Sequence, residues 1–410
     1  MIEIYISKKA SDEVRAGFPW VYNSEILKNS MLETLEAGEL VKILDNKGKF
    51  LSIGYFNYKS IISIRILNQN SQEKIDKDFF KTRIKNAVKK REKFSIKQGN
   101  FNTKFCRLIF GEADFLPGFI VDSYGDYLSC EITTMGAFKL KQFFLDALSE
   151  ISQAKGLIIS INPSDKSEFL QAEKFVIGEI PEIIEIQENG IFYYANLQEG
   201  QKTGWFYDQR RNRGFLTSYA NDKNFLDLFS HSGGFGVLAG VRGAKNIFMV
   251  DSSELALGLA KISAKKNNIL EKCKFIKQDA FDFLNKYNPK DEIFFDIISA
   301  DPPAFIKAKK YVESGMKGYE KLVQGCLNLF DFQNVSDEKK YFALTSCSHH
   351  AEKSRLKKVA ENVILREAKD LEYKKLKCEL IADFSADIDH TPHPKLAKTN
   401  YLKFLCWGIN

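Results

Sequence analysis

A chain of 410 residues exceeds what one hydrophobic core usually holds, so two or three domains are expected. Its composition, 44% hydrophobic and 28% charged, is that of a soluble globular protein, and no apolar run approaches the ~20 residues that cross a bilayer, which excludes a membrane span. The net charge of +7 and pI of 8.8 suit a polyanionic partner such as RNA, and equally a lysine-rich compositional bias.

The N-terminal MIEIYISKKASDEV lacks the basic start and apolar stretch of a secretory signal, so a cytoplasmic protein is expected. Short β-like runs follow at Ile2–Ile6, Leu40–Leu44, Phe50–Tyr55 and Ile61–Leu67. Turn signals such as Asp45-Asn46-Lys47-Gly48 separate them, which predicts a small β-barrel or sandwich over residues 1–70. From Asp76 to Gln98, Phe79, Phe80, Ile84, Ala87, Val88 and Phe94 recur near helical spacing among many basic residues. That basic face suits RNA contact or simple solvation.

Residues 71–188 continue as a central α/β domain, with a hairpin turning at Tyr124-Gly125-Asp126, a helix over Lys139–Ile151 and the strand GLIISI. Over residues 189–410 strands and helices alternate: strand Asn224–Phe229, helix Phe235–Gly240, strand Ile247–Asp251, helix Glu254–Asn267, strand Lys274–Lys277, helix Phe281–Tyr287, strand Phe294–Ser299, a helix near Tyr319–Phe330, and a strand ending at Leu344. Such alternation predicts a doubly wound, mostly parallel sheet with ligands at the carboxyl ends of its strands.

In FLDLFSHSGGFGVLAG a buried strand runs into small residues and a helix, where backbone N–H groups closely approach a ligand. Gly234 to Ala239 also satisfies the pattern G-x-G-x-x-A, and Asp251 ends the next strand where ribose hydroxyls are commonly gripped. Those features do not separate a nicotinamide dehydrogenase from a methyltransferase. Asp279 follows the third strand, suited to an adenine amino group or to capping a helix. The fourth strand delivers Asp301-Pro302-Pro303, a rigid acidic rim that is characteristic of nucleic-acid methyltransferases.

The fifth strand ends in Thr345-Ser346-Cys347-Ser348, followed by His349 and His350. Seven cysteines without CxxC pairs read as reduced thiols rather than a disulfide framework or zinc site. Cys106, Cys130, Cys273, Cys326, Cys378 and Cys406 are taken as structural. Cys347, at the rim beside Asp301, is the candidate nucleophile. A thiol is demanded by methylation of cytosine at carbon 5, because that carbon is too weak a nucleophile until a thiolate has added to carbon 6. Asp301 is placed to hold the ring; Asp301, His349 or water then takes the carbon 5 proton.

Together these residues resemble the bacterial cytosine-5 methyltransferases of large-subunit ribosomal RNA, a family with an N-terminal PUA domain. GFPWVYNSEI and GELVKILDNKGKFLSIGYFNYKSIISIRIL look like its PUA segment and RLIFGEADFLPGFIVDSYGD like its central domain, while QKTGWFYDQRRNR, LDLFSHSGGFG, DPPAFIK, GYEKL, SCS and HPKLAKTNYLKF follow in order. FSHSGGF stands where FSYTGGF is expected. The resemblance implies a Rossmann-like domain that binds S-adenosyl-L-methionine through Phe229, Ser230, Ser232, Gly233, Gly234, Asp251, Asp279 and Asp301, with Gln209 and Arg210 lining the cofactor entrance or ordering a domain junction. It implies nucleophilic attack by Cys347 on 23S ribosomal RNA, a PUA-like domain that holds that RNA, and no metal. His390-x-x-His393 reads as a rigid loop. The rivals are a guanine-modifying ribosomal RNA methyltransferase, which needs no thiol, a noncatalytic RNA-binding assembly factor, and the dehydrogenase. Apolar faces that are not sharply amphipathic leave a homodimer open.

Overall fold

The computed structural model describes residues 1–27, 30–97, 101–198, 204–332, 339–370 and 377–410. The chain divides into two units, one formed by Met1–Glu182, Leu197–Trp205 and Asp389–Ala397, the other by Ile183–Asn196, Phe206–Ile388 and Lys398–Asn410.

The first unit contains two five-stranded sheets. Strands β1 (Ile2–Tyr5), β2 (Trp20–Tyr22), β3 (Glu39–Leu44), β4 (Phe50–Phe56) and β5 (Ile62–Asn68) assemble in the order β1-β3-β4-β5-β2. The sequence pattern misses β2 and the helix α1 (Lys8–Arg15). In KKASDEVR only Ala10 and Val14 are apolar, too few for a periodicity, yet both pack into the core of this sheet, and Ser7 Oγ caps the helix by accepting from Ala10 N. After α2 (Lys77–Lys97), strands β6 (Phe105–Phe110), β7 (Phe119–Tyr124) and β8 (Tyr127–Ile132), helix α3 (Met135–Ser152), and strands β9 (Gly156–Ile161) and β10 (Glu173–Gly178) form the second sheet, ordered β10-β9-β8-β7-β6. Phe80 of α2 meets Phe119 and Phe144 edge-on, each at 5.8 Å.

Several basic residues of α2 have structural partners: Lys77 and Lys81 pair with Glu150, and Arg91 is buried against Asp114 at 2.6 Å. The His390 and His393 rings pack against Phe110 and Phe115. Among the described residues no cluster of three metal-ligating side chains occurs, and no helix is long and apolar enough to cross a membrane.

The second unit begins with the antiparallel hairpin β11 (Ile184–Glu188) and β12 (Ile191–Ala195) and the short helix α4 (Arg210–Leu216). Then come β13 (Asn224–Leu228), α5 (Gly234–Val241), β14 (Asn246–Asp251), α6 (Glu254–Lys266), β15 (Cys273–Lys277), α7 (Ala280–Lys286), β16 (Ile297–Ala300), α8 (Val312–Leu327), β17 (Lys340–Ser346), α9 (Lys353–Asp370), β18 (Cys378–Phe384) and β19 (Lys403–Ile409). The seven strands run β15-β14-β13-β16-β17-β19-β18, the first five parallel and the last two antiparallel to their neighbours. The chain leaves β13 toward one edge and returns through β16 toward the other, so a crevice opens at the carboxyl ends of β13 and β16.

The two antiparallel strands escape the sequence pattern. KFLCWGI of β19 is buried along its whole length, so it shows neither strand alternation nor helical period.

Candidate active site

The turn after β13 is held by its own backbone. Phe229 and His231 adopt positive φ (58° and 48°) and Gly233 follows at 80°. Ser230 N donates to Val250 O at 3.0 Å and Gly233 N to Ser230 O at 2.8 Å. Gly233 is required twice over, by its left-handed φ and because a Cβ there would lie 2.9 Å from the Ala260 methyl. The turn is pinned to the next strand by Asp251, whose Oδ2 accepts from His231 N and Oδ1 from Ser253 N, each at 2.8 Å. Ser232 Oγ lies 3.1 Å from His231 Nδ1. Ser230 Oγ, by contrast, is buried with no hydrogen-bond partner among the described residues. An orphaned buried hydroxyl at a helix start suits a polar ligand that completes it. Phe229 meets Phe281 edge-on at 6.5 Å, and Asp279 caps α7 by accepting from Phe281 N and Asp282 N through Oδ1, so Oδ2 takes no part in the cap.

Asp227, inside β13, is buried and its Oδ2 accepts from Gly236 N at 2.8 Å. Burial pushes its pKa from the ordinary 3.8 up to about 8; the Gly236 bond opposes this and the charges of Asp301 and Asp251 add to it. A raised folded-state pKa means stability that is complete below pH 4 and is lost as pH climbs through 8. Asp227→Asn, which keeps an acceptor for Gly236, is expected to remove most of that loss. Urea unfolding of both proteins at pH 5 and pH 8.5 checks it, and equal pH dependence in the two would show that Asp227 is ionised throughout.

Asp301 follows β16 and is oriented from α4. Gln209 Nε2 donates to Asp301 Oδ2 at 2.8 Å, and Asn212 Nδ2 donates to Gln209 Oε1 at 2.6 Å. A carboxylate only accepts, so Gln209 must present its amide nitrogen to Asp301 and its oxygen to Asn212. Arg210, next to Gln209, carries a buried ion pair with Asp387 (2.8 Å) and lies 3.6 Å from Glu188. Arg213 grips Glu188 through two bonds of 2.8 and 3.0 Å. Residues 201–203 of the QKTGWFYDQRRNR stretch lie outside the described residues.

Cys347 follows β17, one strand over from Asp301. It is half-buried between Ser346 and Ser348, which are fully buried. Tyr319 of α8 ties both serines: its hydroxyl is 2.7 Å from Ser346 Oγ and 3.2 Å from Ser348 Oγ. Ile306 N, beyond the two prolines, donates to Ser348 Oγ at 3.2 Å, so the Asp301 loop and the cysteine loop share one hydroxyl. From β19, Lys403 Nζ donates to Ser348 O at 2.7 Å. Burial pushes the thiols of Cys273 and Cys378, also half-buried, up to about 12. His349 is exposed, its ring 5.9 Å from that of Tyr401.

The crevice therefore brings together the turn 229–234, Asp251, Asp301 with Gln209, and Cys347, with Asp279 at the next strand end. The sequence assigned no role to Asn212, Asp227, Tyr319 or Lys403. Their signals were present: Tyr319 lies in GYEKL, Lys403 in the terminal motif, and Asp227 is a carboxylate inside an apolar strand.

The second unit has a Rossmann-like fold of the kind seen in S-adenosylmethionine-dependent methyltransferases. The structure of SMU.776 complexed with SAH superposes over 100% of both chains with a TM-score of 0.80 at 22% identity. In sequence, the PUA-like domain family matches residues 4–69 and the family described as conserved hypothetical protein 95 matches residues 209–324. Ribosomal RNA large subunit methyltransferase I of Tolumonas auensis is 34% identical over 340 residues, covering 82% of this chain and 83% of that one. The Photobacterium profundum protein of the same name is 30% identical over 417 residues, 98% of each chain. The chain belongs to the ribosomal RNA large subunit methyltransferase I family.

Proposed function

We propose that this protein methylates carbon 5 of a cytosine in 23S ribosomal RNA, using S-adenosyl-L-methionine, through a covalent bond between Cys347 Sγ and carbon 6 of the base. The observation that carries this reading is a half-exposed thiol at the carboxyl end of β17, linked through Ser348 to the loop that bears Asp301.

The residues present fit the cofactor. The glycine turn and the α5 start would hold its methionine end beside the unpartnered Ser230 hydroxyl, with Phe229, Ser232 and Gly234 completing the turn. Asp251 would take the ribose hydroxyls and Asp279 the adenine amino group. When bound, it would supply an electrophilic sulfonium methyl and leave as the neutral thioether S-adenosylhomocysteine once that S–CH3 bond breaks. Cys347 thiolate adds to carbon 6 and forms the C–S bond, which turns carbon 5 into an enamine-like nucleophile that takes the methyl. Loss of the carbon 5 proton to a base re-forms the 5,6 double bond and expels the thiolate. Asp301, oriented by Gln209, accepts from the 4-amino group of the base. Arg210 holds the start of α4 so that Gln209 keeps that reach.

RNA would be held by three parts, a PUA-like domain (1–70), a central domain (71–188) and the methyltransferase domain (189–410). On the first, adjoining cavities of about 460 and 470 Å³ share Tyr22 and Ser24; Phe18, Lys9 and Lys59 line them together with Glu13 and Glu25, and Lys395 enters from outside residues 1–70. Aromatic faces suit unstacked bases and lysines suit phosphates. The target cytosine must leave its stack to reach Cys347. Ribosomal RNA as substrate implies a cytoplasmic site of action.

Digestion of 23S RNA after incubation with the full chain and S-adenosylmethionine, followed by nucleoside mass analysis, tests the reading. 5-Methylcytidine is expected; methylguanosine in its place would reject the thiol route.

A further inference from the structure

We propose that Lys403 and Cys347 form an ion pair, the ammonium being the counter-ion of a Cys347 thiolate in the resting protein. This deepens the proposed reaction and rests on Cys347 as its nucleophile.

Lys403 opens β19, where the antiparallel register sets it opposite Ser346, the residue before Cys347. Its ammonium donates to the carbonyl of Ser348, the residue after Cys347, at 2.7 Å, and to Tyr401 O at 2.9 Å. The lysine therefore brackets the cysteine from both sides. Lys403 is only 8% exposed, and both acceptors are neutral. Among the described residues it has no carboxylate partner.

An unpaired ammonium out of water is costly by several kcal/mol, so such a group either loses its proton or acquires an anion. Burial pulls the Lys403 pKa down, the charge of Cys347 acts upward, and Lys353 adds to the depression. Besides Lys353, the ionisable groups at this end of the sheet include Tyr319, held by both serines, Asp301, and Tyr401 with the His349 ring beside it; charge on Cys347 and on Asp301 alike raises the Tyr319 pKa. Asp301 opposes a second negative charge beside it, and Lys403 offsets that repulsion. Both demands are met if the thiol has released its proton to solvent before substrate arrives. No separate base is then needed for attack on carbon 6, and elimination returns the thiolate to its counter-ion.

Alkylation of the full-length protein by iodoacetamide across pH 5–10, with the Cys347 peptide followed by mass, reads the thiolate directly. The expected midpoint lies at least a unit below the ~8.5 of a free cysteine. Lys403→Met is expected to raise it by a unit or more and Lys403→Arg to leave it near wild type. A wild-type midpoint at or above 8.5, or one unmoved by Lys403→Met, overturns the pair. If Lys403→Met does not fold, the wild-type profile decides alone. A low midpoint in a protein that yields no 5-methylcytidine would retain the ion pair and reject the nucleophile, whereas cytosine methylation with an ordinary midpoint would do the reverse.

Discussion

Alanine at Cys347 is expected to lower methyl transfer to ribosomal RNA by on the order of 10³-fold or more, the loss typical when a covalent nucleophile is removed. The fold is expected to survive. Ser346 and Ser348 keep their bonds to Tyr319, and the half-buried Sγ contributes little to the core formed by Phe342, Leu344, Leu405 and Trp407. Cofactor binding should also persist, because the glycine turn and Asp251 belong to β13 and β14. RNA carrying 5-fluorocytosine sharpens the test. Its carbon 5 has no proton to lose after methylation, so elimination stops with the Cys347–carbon 6 bond intact. Wild type is expected to retain such RNA through denaturing electrophoresis and Cys347→Ala to release it. Methylation of ordinary RNA by Cys347→Ala within tenfold of wild type would remove the thiol from the mechanism.

The sequence made the turn after β13 and the end of β16 legible because their signals are local. A buried run such as Phe225–Leu228 that enters Ser-x-Ser-Gly-Gly can hardly do other than turn tightly into a helix, and the prolines after Asp301 end their strand in any context. The position of Cys347 was legible the same way, as the residue immediately beyond a strand. The supports of these groups were hidden because they depend on pairing between distant segments. Lys403 becomes relevant to Cys347 only through the antiparallel register of β17 with β19, and β19 itself, apolar on both faces, carries no periodicity. Asn212 and Arg213 sit in a stretch, RRNRGFL, whose composition names no partner until Gln209 and Glu188 are brought against it. Charge composition cannot distinguish an exposed arginine from one buried on a carboxylate.

Glu188→Gln is expected to destabilise the second unit by about 3–5 kcal/mol, the range for breaking a buried ion pair by removing one partner. The Glu188 side chain is fully buried and its carboxylate receives two bonds from Arg213, while Arg210 approaches it at 3.6 Å. Asp387 still pairs with Arg210, and Arg213 keeps its bond to Phe206 O at 2.7 Å. For a unit of roughly 200 residues the change corresponds to a fall in Tm of roughly 10 °C. Glu188→Met combined with Arg213→Met is expected to cost no more than the single change, because the desolvation penalty leaves with the charges. The effect should reach the reaction as well. Arg210 and Arg213 share α4 with Asn212, and Gln209 caps its start, so loosening the arginines loosens the bond that orients Asp301. Assayed well below its Tm, Glu188→Gln should lose kcat while its affinity for cofactor, measured by calorimetry, changes little. A stability loss under about 1 kcal/mol would show that other groups already satisfy the two guanidiniums, and a loss in Tm without a loss in kcat would confine the ion pairs to holding the fold.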